Sequence, residues 1–407
     1  MKTVSLFSSY GLGDLGLRAA GADIVLMAEL LEDRCEHLRR NFPDAEVMSG
    51  NLTEWAPVAD RAEEILQGEP PYLLVATPPC QGMSTNGAGK IARAVERGER
   101  PKLDPRNRLI MPALEIVKRL RPRWVVFENV VQMRNTVITV SPPASGATTP
   151  PGGVETRAIT DIIRGELAAA GYSGGWADVD FSRHGVPQDR QRLITVFGLG
   201  GPHDIGSLLP PEEGEPATLR QAIGHLEELD SHGTRRSPTD PLHRVKRMND
   251  NHYWWASHTP PGGTAYDNQC RCGLASPVRL GKQTAAECPA YCRCGELLPR
   301  PTVPDKSDEG RRRIISGFRT AYKRMEWDRP APTVTMNMMT PSSDNKLHPE
   351  QNRTLSPAEG AIIQTVDRYH CDWGPDPSDR TLCEALGEAV PPLFFERLLR
   401  HLSALDA

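Results

Sequence analysis

The chain has 407 residues, 38% of them hydrophobic and 25% charged, which is enough for two or three domains with a substantial core. Its net charge of -4 gives no overall sign of a polyanionic partner, although basic residues cluster locally. No apolar run is long enough to span a membrane and the N-terminus is unlike a signal peptide, so we expect a cytoplasmic protein without a membrane partner. Nine cysteines are too few for a disulfide scaffold of this length, and those that cluster indicate a metal site.

The first half of the chain alternates between two patterns. Short apolar runs, which predict buried strands, occupy residues 4–7, 24–28, 47–51, 72–76, 124–127 and 193–197. Amphipathic patterns, which predict helices, occupy residues 14–20, 34–41, 109–120 and 160–170. Such alternation is typical of an α/β fold with a mostly parallel sheet.

The ends of the first two predicted strands carry residues suited to a nucleotide-like cofactor. A turn with Gly11 joins the first strand to a helix, and the backbone can approach a ligand closely there. Glu29 ends the second strand, where an acidic residue commonly bonds ribose hydroxyls in doubly wound folds. An ordinary turn and a solvated carboxylate remain alternatives at this point.

The fourth apolar run leads directly into Pro78, Pro79 and Cys80, followed by a polar, glycine-rich loop at residues 82–102. In an open α/β sheet, reactive groups lie just past the carboxyl ends of strands. Cys80 is therefore a candidate nucleophile, with a small buried thiol as the alternative.

A second set of polar residues follows the fifth apolar run. Glu128 lies at the end of that run, and a carboxyl group beside an apolar strand end can have a raised pKa and carry a proton. Arg190 and Arg192 alternate on an extended segment, so we expect both side chains on one face.

Taken in order, these groups resemble the motifs of the cytosine-C5 DNA methyltransferase family. The matching segments are Phe7 to Gly11, Glu29, Pro78-Pro79-Cys80-Gln81, Glu128-Asn129-Val130, Gln188-x-Arg190-x-Arg192, residues 353–359 with Gln364, and residues 387–392. The resemblance runs from residue 4 to about residue 402 and leaves only the middle unmatched. It implies a Rossmann-like, S-adenosylmethionine-dependent methyltransferase domain with a smaller, irregular target-recognition domain.

The resemblance also implies roles for the candidate catalytic residues. Cys80 would attack C6 of a flipped-out cytosine, and Glu128 would meet the charge that builds at N3. Arg192, with Arg190, would orient the ring oxygen and hold Glu128.

The donor pocket implied by the resemblance departs from the family pattern at several positions. Its residues would be Phe7, Gly11, Leu12, Glu29, Leu30, Asn51, Pro78, Glu388 and Val390. Ser9 and Leu12 stand where glycines are usual, Leu30 where an aromatic residue often packs on adenine, and Asn51 where an aspartate is usual. Glu388 replaces an asparagine and would face the carboxylate of S-adenosylmethionine unless an arginine or a proton intervenes. The usual donor is the favoured interpretation, ahead of a modified donor or of DNA binding without catalysis.

The middle of the chain contains a cysteine cluster that the family does not generally carry. Cys-Arg-Cys-Gly at residues 270–273 recurs at residues 292–295. The repeat predicts a structural Zn²⁺ site whose ligands are Cys270, Cys272, Cys292 and Cys294, with Cys288 as the substitute. The spacing is tighter than the usual Cys-x-x-Cys, and disulfides or unliganded thiols remain alternatives.

Two basic segments are candidate DNA contacts. The predicted contacts in the loop after Cys80 are Gln81, Ser84, Lys90, Arg93 and Arg97. Those in a later stretch interrupted by aromatic residues are Arg311, Arg313, Arg319 and Lys323. Ordinary exposed surfaces are the alternative for both.

We therefore predict a catalytic domain at residues 1–205 with 376–407, and a recognition domain at residues 206–375 with the zinc module at about 265–300. The expected activity is methylation of cytosine C5 at a specific site in double-stranded DNA, by a monomer that protects host DNA in a restriction-modification or anti-phage system, with proteins of that system as candidate partners. A tRNA cytosine methyltransferase and a non-catalytic DNA-binding protein are the alternatives; the size of the recognition region favours duplex DNA.

Overall fold

The computed structural model describes residues 1–79, 105–139, 156–278, 283–284, 288–315, 317–318, 320–343 and 345–406. A seven-stranded sheet forms its centre. Its strands are β1 (Lys2–Leu6), β2 (Asp23–Glu29), β3 (Glu46–Ser49), β4 (Leu73–Ala76), β5 (Trp124–Asn129), β8 (Tyr172–Asp180) and β10 (Gln191–Leu199). They lie in the order β3-β2-β1-β4-β5-β10-β8. Strands β1 to β5 are parallel, and β10 runs antiparallel to both of its neighbours.

The remaining strands form short two-stranded pairs outside the main sheet. They are β6 (Val137–Thr139) with β7 (Thr156–Ala158), β9 (Gln188–Asp189) with β15 (Ala331–Pro332), β11 (Gln283–Thr284) with β14 (Gly317–Phe318), and β12 (Thr302–Pro304) with β13 (Arg312–Ile314).

The helices alternate with the strands in the first half of the chain. They are α1 (Leu12–Ala19), α2 (Glu32–Asn41), α3 (Ala56–Leu66), α4 (Ile110–Leu120), α5 (Ile159–Ala169), α6 (Ile205–Leu208), α7 (Leu219–Ile223), α8 (Asp250–Ser257), α9 (Pro357–Ile363), α10 (Asp379–Glu388) and α11 (Pro392–Leu405). Turns of 3₁₀ helix lie at Pro105–Leu109, Val131–Asn135, Phe181–His184, Ala265–Asp267 and Val366–Arg368.

Side chains that alternate along the central strands build a core on each face of the sheet. In β4, Leu73 and Val75 join the apolar cluster of α1, α2 and α11, whereas Leu74 and Ala76 join that of α3, α4 and α5. The sheet is thus covered by helices on both faces, and the predicted α/β fold class is confirmed.

The parallel strands end at the same edge of the sheet, and this edge collects the polar residues predicted to be functional. Leu6, at the end of β1, pairs with Ala28 of β2 and with Ala76 of β4. Ala76 in turn pairs with Phe127 of β5. Glu29 and Glu128 each follow one of these paired residues, so both lie at the carboxyl edge, where open α/β sheets bind ligands.

The segment after β10 contains few regular elements, and buried arginines donate hydrogen bonds to some of its backbone carbonyl groups. The guanidinium of Arg324 donates to the carbonyl oxygens of Thr259, Ala256 and His348, at 2.7 to 2.8 Å. Burial lowers the pKa of Arg324 to about 10. Backbone carbonyls without a strand or helix partner need such donors when they are buried.

The last helix returns to the first. Helix α11 packs along α1 so closely that a Cβ atom on Gly16 would lie 1.8 Å from the Pro392 carbonyl oxygen. The apolar cluster around these two helices also contains Leu355 and Ile363, from the segment that the sequence assigns to the recognition domain. The domain boundaries themselves stay a prediction.

Within the described residues, no helix combines the length and the apolar composition that crossing a membrane requires.

We expect Gly16→Ala to destabilise the protein by about 2 kcal/mol or more, because backbone lies where the new methyl group must go. Urea unfolding would measure the change. Gly165→Ala in α5 is the control, since its Cβ meets no atom within 4 Å and alanine favours the helix. Equal stability of the two variants would show that the two helices do not need this close approach.

Candidate active site

The backbone that leads to Cys80 is fixed by its two neighbouring strands. Thr77 follows β4, and its hydroxyl donates to the Phe7 carbonyl oxygen at 2.9 Å. The buried side chain of Asn129, at the end of β5, donates to the Pro78 carbonyl oxygen at 2.9 Å. Asn129 was not among the predicted site residues, although it lies within the motif that drew attention to Glu128.

Cys80 itself lies outside the described residues. The same is true of five predicted DNA contacts, which are Gln81, Ser84, Lys90, Arg93 and Arg97. Their roles stay predictions.

A buried ion pair lies at the end of β5. Nε of Arg192 is 3.0 Å from Oε1 of Glu128, and the two side chains are 15% and 10% exposed. Antiparallel pairing sets Ile194 of β10 opposite Glu128, and Arg192 lies two residues away on the same face. Burial raises the pKa of Glu128 above its ordinary value, although Arg192 and Arg190 oppose the rise.

Arg190 has different partners from Arg192. Its buried guanidinium donates to the carbonyl oxygens of Val334 at 3.1 Å and of Ala389 at 2.9 Å. It also donates to Gly387. The charge of Arg190 still acts on Glu128, but its contacts are those of a positioning residue that holds the segment containing Glu388.

Two glutamines extend this contact into a buried polar junction, which we define as Gln188, Arg190 and Gln364. Gln188 donates to Gln364 at 2.9 Å and accepts from the Val334 N–H at 2.7 Å. Gln364 donates to the Leu386 carbonyl oxygen. The junction therefore ties β9, the segment after β15 and the end of α10 together.

A cleft with about 380 Å³ of empty space, open solvent at its mouth included, lies at the carboxyl edge beside β1 and β4. Phe7, Ser9 and Gly11 in its first loop have left-handed backbones, with φ of 57°, 49° and 70°. The residues that line the cleft are Ser5, Ser8, Ser9, Tyr10, Gly11, Leu12, Gly13, Asp14, Val75, Thr77, Ala385, Glu388, Ala389, Val390 and Phe395. Four of the residues predicted to form the methyl-donor pocket are among them: Gly11, Leu12, Glu388 and Val390.

Glu29 is buried and holds the rim of the cleft in place. Its carboxylate accepts from the backbone N–H groups of Ser9 at 2.9 Å and Leu31 at 3.1 Å. Leu30 is 59% exposed, and Asn51 is exposed with its side-chain oxygen accepting from the Thr53 N–H at 3.0 Å. These two predicted adenine neighbours lie outside the set that lines the cleft.

Glu388 is paired with an arginine that sequence reasoning did not identify. Nη1 of Arg34 is 2.9 Å from Oε2 of Glu388, and the Ser9 hydroxyl donates to the same oxygen at 3.2 Å. Burial opposes the charge of Arg34, but Glu388 and Glu29 outweigh it and raise its pKa. The sequence analysis left either an arginine or a proton to neutralise Glu388, and only the fold brings an arginine 354 positions away to it.

Asp14 is a second residue that the sequence analysis missed. It lies in the first turn of α1, lines the cleft and is only 5% exposed. Its Oδ1 has no hydrogen-bond partner in the described part of the chain, and burial raises its pKa to about 7. The sequence signal that could have identified Asp14 is an acidic residue at a position that the helical pattern predicts to be buried.

The four cysteines favoured as zinc ligands converge on one point. Their sulfur atoms all lie within 4.8 Å of one another, with 3.6 Å between Cys270 and Cys294 and 3.5 Å between Cys272 and Cys292. Four thiolates at about 2.3 Å from a tetrahedral Zn²⁺ would be about 3.8 Å apart. Cys288 lies elsewhere, in a small apolar cluster with Trp255 and Tyr322.

The predicted DNA contacts in the later basic stretch differ in exposure. Arg311 and Arg313 are exposed, and Arg311 lies 4.6 Å from the Tyr291 ring centroid. Lys323 is partly buried. Arg319 lies outside the described residues.

Comparison with known proteins identifies the class to which this fold and site belong. A family model described as C-5 cytosine-specific DNA methylase matches residues 1–404. The Type II methyltransferase M1.HgaI of Avibacterium volantium is 25% identical over 98% of this chain and 97% of its own length. M1.HphI of Haemophilus parahaemolyticus is 25% identical over 97% of this chain and 84% of its own length.

A solved structure confirms the fold independently. The Dnmt2 methyltransferase of S. pombe superposes with a TM-score of 0.58 at 12% identity, covering 100% of this chain and 99% of that one. The chain belongs to the C-5 cytosine-specific DNA methylase family. It is a DNA cytosine-5 methyltransferase, and its family uses S-adenosylmethionine as the methyl donor.

The residues of the cleft fit such a donor. Glu29 and Glu388 place two carboxylates at or beside it, next to the guanidinium of Arg34, and Asp14 adds a carboxyl group whose neutral form burial favours. S-adenosylmethionine carries a sulfonium and an ammonium group against one carboxylate, so an acidic cleft suits its net positive charge.

We expect the stability of the protein to fall as pH rises from about 4 to about 7 in a manner that depends on Asp14. The ordinary pKa of this carboxyl is 3.8 and its folded pKa is about 7. Between these values the folded protein keeps a proton that the unfolded chain has lost, so rising pH favours unfolding, at up to about 1.4 kcal/mol per pH unit.

Asp14→Asn removes this contribution. As pH rises across this range, the free energy of unfolding of the variant should therefore increase relative to that of the wild type. Urea unfolding at several pH values would measure the difference. Asp161→Asn, at an exposed position of α5, is the control. Parallel curves for Asp14→Asn and the wild type would contradict the raised pKa.

Proposed function

We propose that this enzyme methylates cytosine C5 at a specific site in double-stranded DNA, through base flipping and a covalent bond between Cys80 and C6. The observation that carries the proposal is the buried pair of Glu128 and Arg192. It lies at the end of β5, beside the end of the strand that leads to Cys80, in a chain that the family matches from residue 1 to 404.

The chemistry requires a nucleophile and an acid on the same base. C5 of cytosine is a poor nucleophile, and attack of the Cys80 thiolate on C6 breaks the aromatic ring and makes C5 enamine-like. C5 then takes the methyl group that S-adenosylmethionine supplies. Loss of the C5 proton to a base and departure of the Cys80 sulfur restore the ring.

Glu128 is the group that meets the negative charge at N3. Burial favours its protonated form, which can donate to N3 as attack proceeds. Arg192 fixes the carboxyl from one side and leaves its other oxygen for the base. Arg190 acts indirectly, because it binds the backbone on both sides of Glu388.

The donor would bind along the carboxyl edge of the sheet. Glu29 is suited to its ribose, and the predicted pocket residues Phe7 and Pro78 lie at the ends of β1 and β4. Leu30, with an apolar side chain 59% exposed, offers a surface for the adenine ring, and Asn51 lies one strand further along this edge.

DNA binding would use the exposed basic side chains on the recognition region. Arg311 and Arg313 can meet phosphates without reading sequence. Arg319, Lys323 and the basic residues of the loop after Cys80 extend the same proposal.

The names of the relatives support a role in restriction-modification. Both M1.HgaI and M1.HphI are described as Type II methyltransferases. We propose that this chain marks host DNA in such a system or in an anti-phage system, as a cytoplasmic monomer that works beside proteins of that system.

The cysteine cluster supports a structural Zn²⁺ site in the recognition region. Four thiolates leave no open position for substrate. Two Cys-x-Cys-Gly turns build the site, and Gly273 and Gly295 take φ of 81° and 94°, which suits a glycine directly after the second ligand of each turn. A metal would hold together a region with few regular elements.

We expect the wild type to form a covalent complex with duplex DNA that contains 5-fluorocytosine, in the presence of S-adenosylmethionine. Fluorine cannot leave as a proton does, so the reaction stalls with the base bound to Cys80 and one methyl group added. A denaturing gel and intact mass would detect the complex, and sequencing the trapped DNA would give the site.

Cys80→Ala should form no complex, and Glu128→Gln should form it at least about a hundredfold more slowly. Arg39→Gln, at an exposed ion pair of α2, is the matched control. Trapping on tRNA alone would transfer the proposal to RNA. Trapping on neither substrate, with DNA still bound specifically, would favour a DNA-binding protein without this chemistry.

We expect the purified protein to contain about one zinc per chain, and Cys272→Ser to lose it and unfold at lower temperature. Mass spectrometry of the metal and thermal unfolding would measure both effects. Cys288→Ser should keep the metal, since Cys288 lies outside the cluster. Loss of zinc from Cys288→Ser, but not from Cys272→Ser, would overturn the ligand set.

A further inference from the structure

We propose that Arg34 and Glu388 form an exchangeable ion pair that recognises the amino-acid end of the methyl donor. Arg34 would take the α-carboxylate, and Glu388 would take the α-ammonium group. The inference rests on the proposed use of S-adenosylmethionine, and it states which part of that ligand the ion pair binds.

The position of the pair is the first observation. Ser9 and Glu388 line the cleft, and Arg34 contacts both of them, at 3.2 Å and 2.9 Å. Arg34 lies in the first turn of α2, and Glu388 is the last residue of α10. The cleft therefore presents one positive and one negative group side by side, a pattern complementary to a zwitterion.

Spare hydrogen-bonding capacity is the second observation. In the described part of the chain, Nε of Arg34 is buried without a hydrogen-bond partner. The bonds that Glu388 makes to described residues both end on Oε2, so Oε1 is available. A zwitterionic ligand can satisfy both groups, which the pair alone leaves incomplete.

Exposure makes the exchange of partners feasible. The two side chains are 15% and 25% exposed, so water reaches this edge of the pair and can solvate both groups while they change partners. When the pair opens, Arg34 keeps other support, because its guanidinium carbon lies 5.1 Å from the Tyr10 ring centroid and it contacts the Ser9 hydroxyl. The guanidinium thus stays at the cleft while its carboxylate partner turns to an ammonium group.

The pair is not needed to hold the chain together at this point. Arg190 already binds the carbonyl oxygens of Gly387 and Ala389, and Gln364 binds that of Leu386. These contacts fix the backbone on both sides of Glu388 from within the core. Opening the ion pair therefore leaves the fold intact, as expected of a pair that binds a ligand and not of one that stabilises the fold.

Calorimetric binding of two nucleosides tests the inference without any turnover. S-adenosylhomocysteine carries the amino-acid group, and 5′-methylthioadenosine lacks it. We expect Arg34→Gln and Glu388→Gln each to weaken binding of S-adenosylhomocysteine about tenfold or more, because each loses a charged hydrogen bond. Binding of 5′-methylthioadenosine should change by less than about twofold.

A decarboxylated S-adenosylhomocysteine separates the two roles. Its affinity should still fall in Glu388→Gln but be insensitive to Arg34→Gln, because it keeps the ammonium group and lacks the carboxylate. Arg39→Gln, which removes an exposed ion pair from the same helix, is the control and should bind all three nucleosides as the wild type does.

Two results would overturn the inference in distinguishable ways. If both variants bound all three nucleosides equally more weakly and unfolded at a lower temperature, the ion pair would be one that stabilises the fold. Failure of the wild type to bind either adenosyl compound would remove the donor itself, and with it the proposed function on which this inference rests.

Discussion

The buried polar junction of Gln188, Arg190 and Gln364 is the constraint on which the site depends. The chain around Val334 and at residues 386–389 buries carbonyl groups without strand partners, and such groups need donors. The junction supplies them from side chains beside β10 and after α9. Because the same segment of chain carries Arg192 two residues beyond Arg190, satisfying these carbonyls also sets the ion pair of Glu128 and Arg192 relative to the cleft.

The carboxyl groups of this protein show how environment decides protonation. Burial favours the neutral form of Asp14 and Glu128, and it raises the pKa of both. Burial also opposes the charge of Glu359, but Arg353 binds it through two contacts of 2.7 Å and lowers its pKa to about 2. Among the described residues, Glu128 has one contact of 3.0 Å to Arg192, which does not outweigh burial, so the pKa of Glu128 stays raised.

A sheet holds the first half of the chain together, whereas side chains hold together the segment after β10. Its strands in the described residues are two or three residues long, and buried arginines such as Arg324 satisfy its carbonyls. The cysteine cluster brings together two turns about 20 residues apart, with 3.5 Å between the sulfur atoms of Cys272 and Cys292.

The sequence by itself determined the α/β class, the strand ends at Glu29 and Glu128 and the grouping of four cysteines, because periodicity and spacing are local properties of the chain. It also indicated that an arginine or a proton would have to neutralise Glu388 beside a donor carboxylate. Only the tertiary structure decided that Arg34 pairs with Glu388, that Asp14 lies in the cleft and that Arg190 binds the carbonyl oxygens of Gly387 and Ala389. The contacts of Arg34 and Arg190 join residues 354 and 199 positions apart, and the place of Asp14 depends on which face of a helix is buried. No local pattern encodes either.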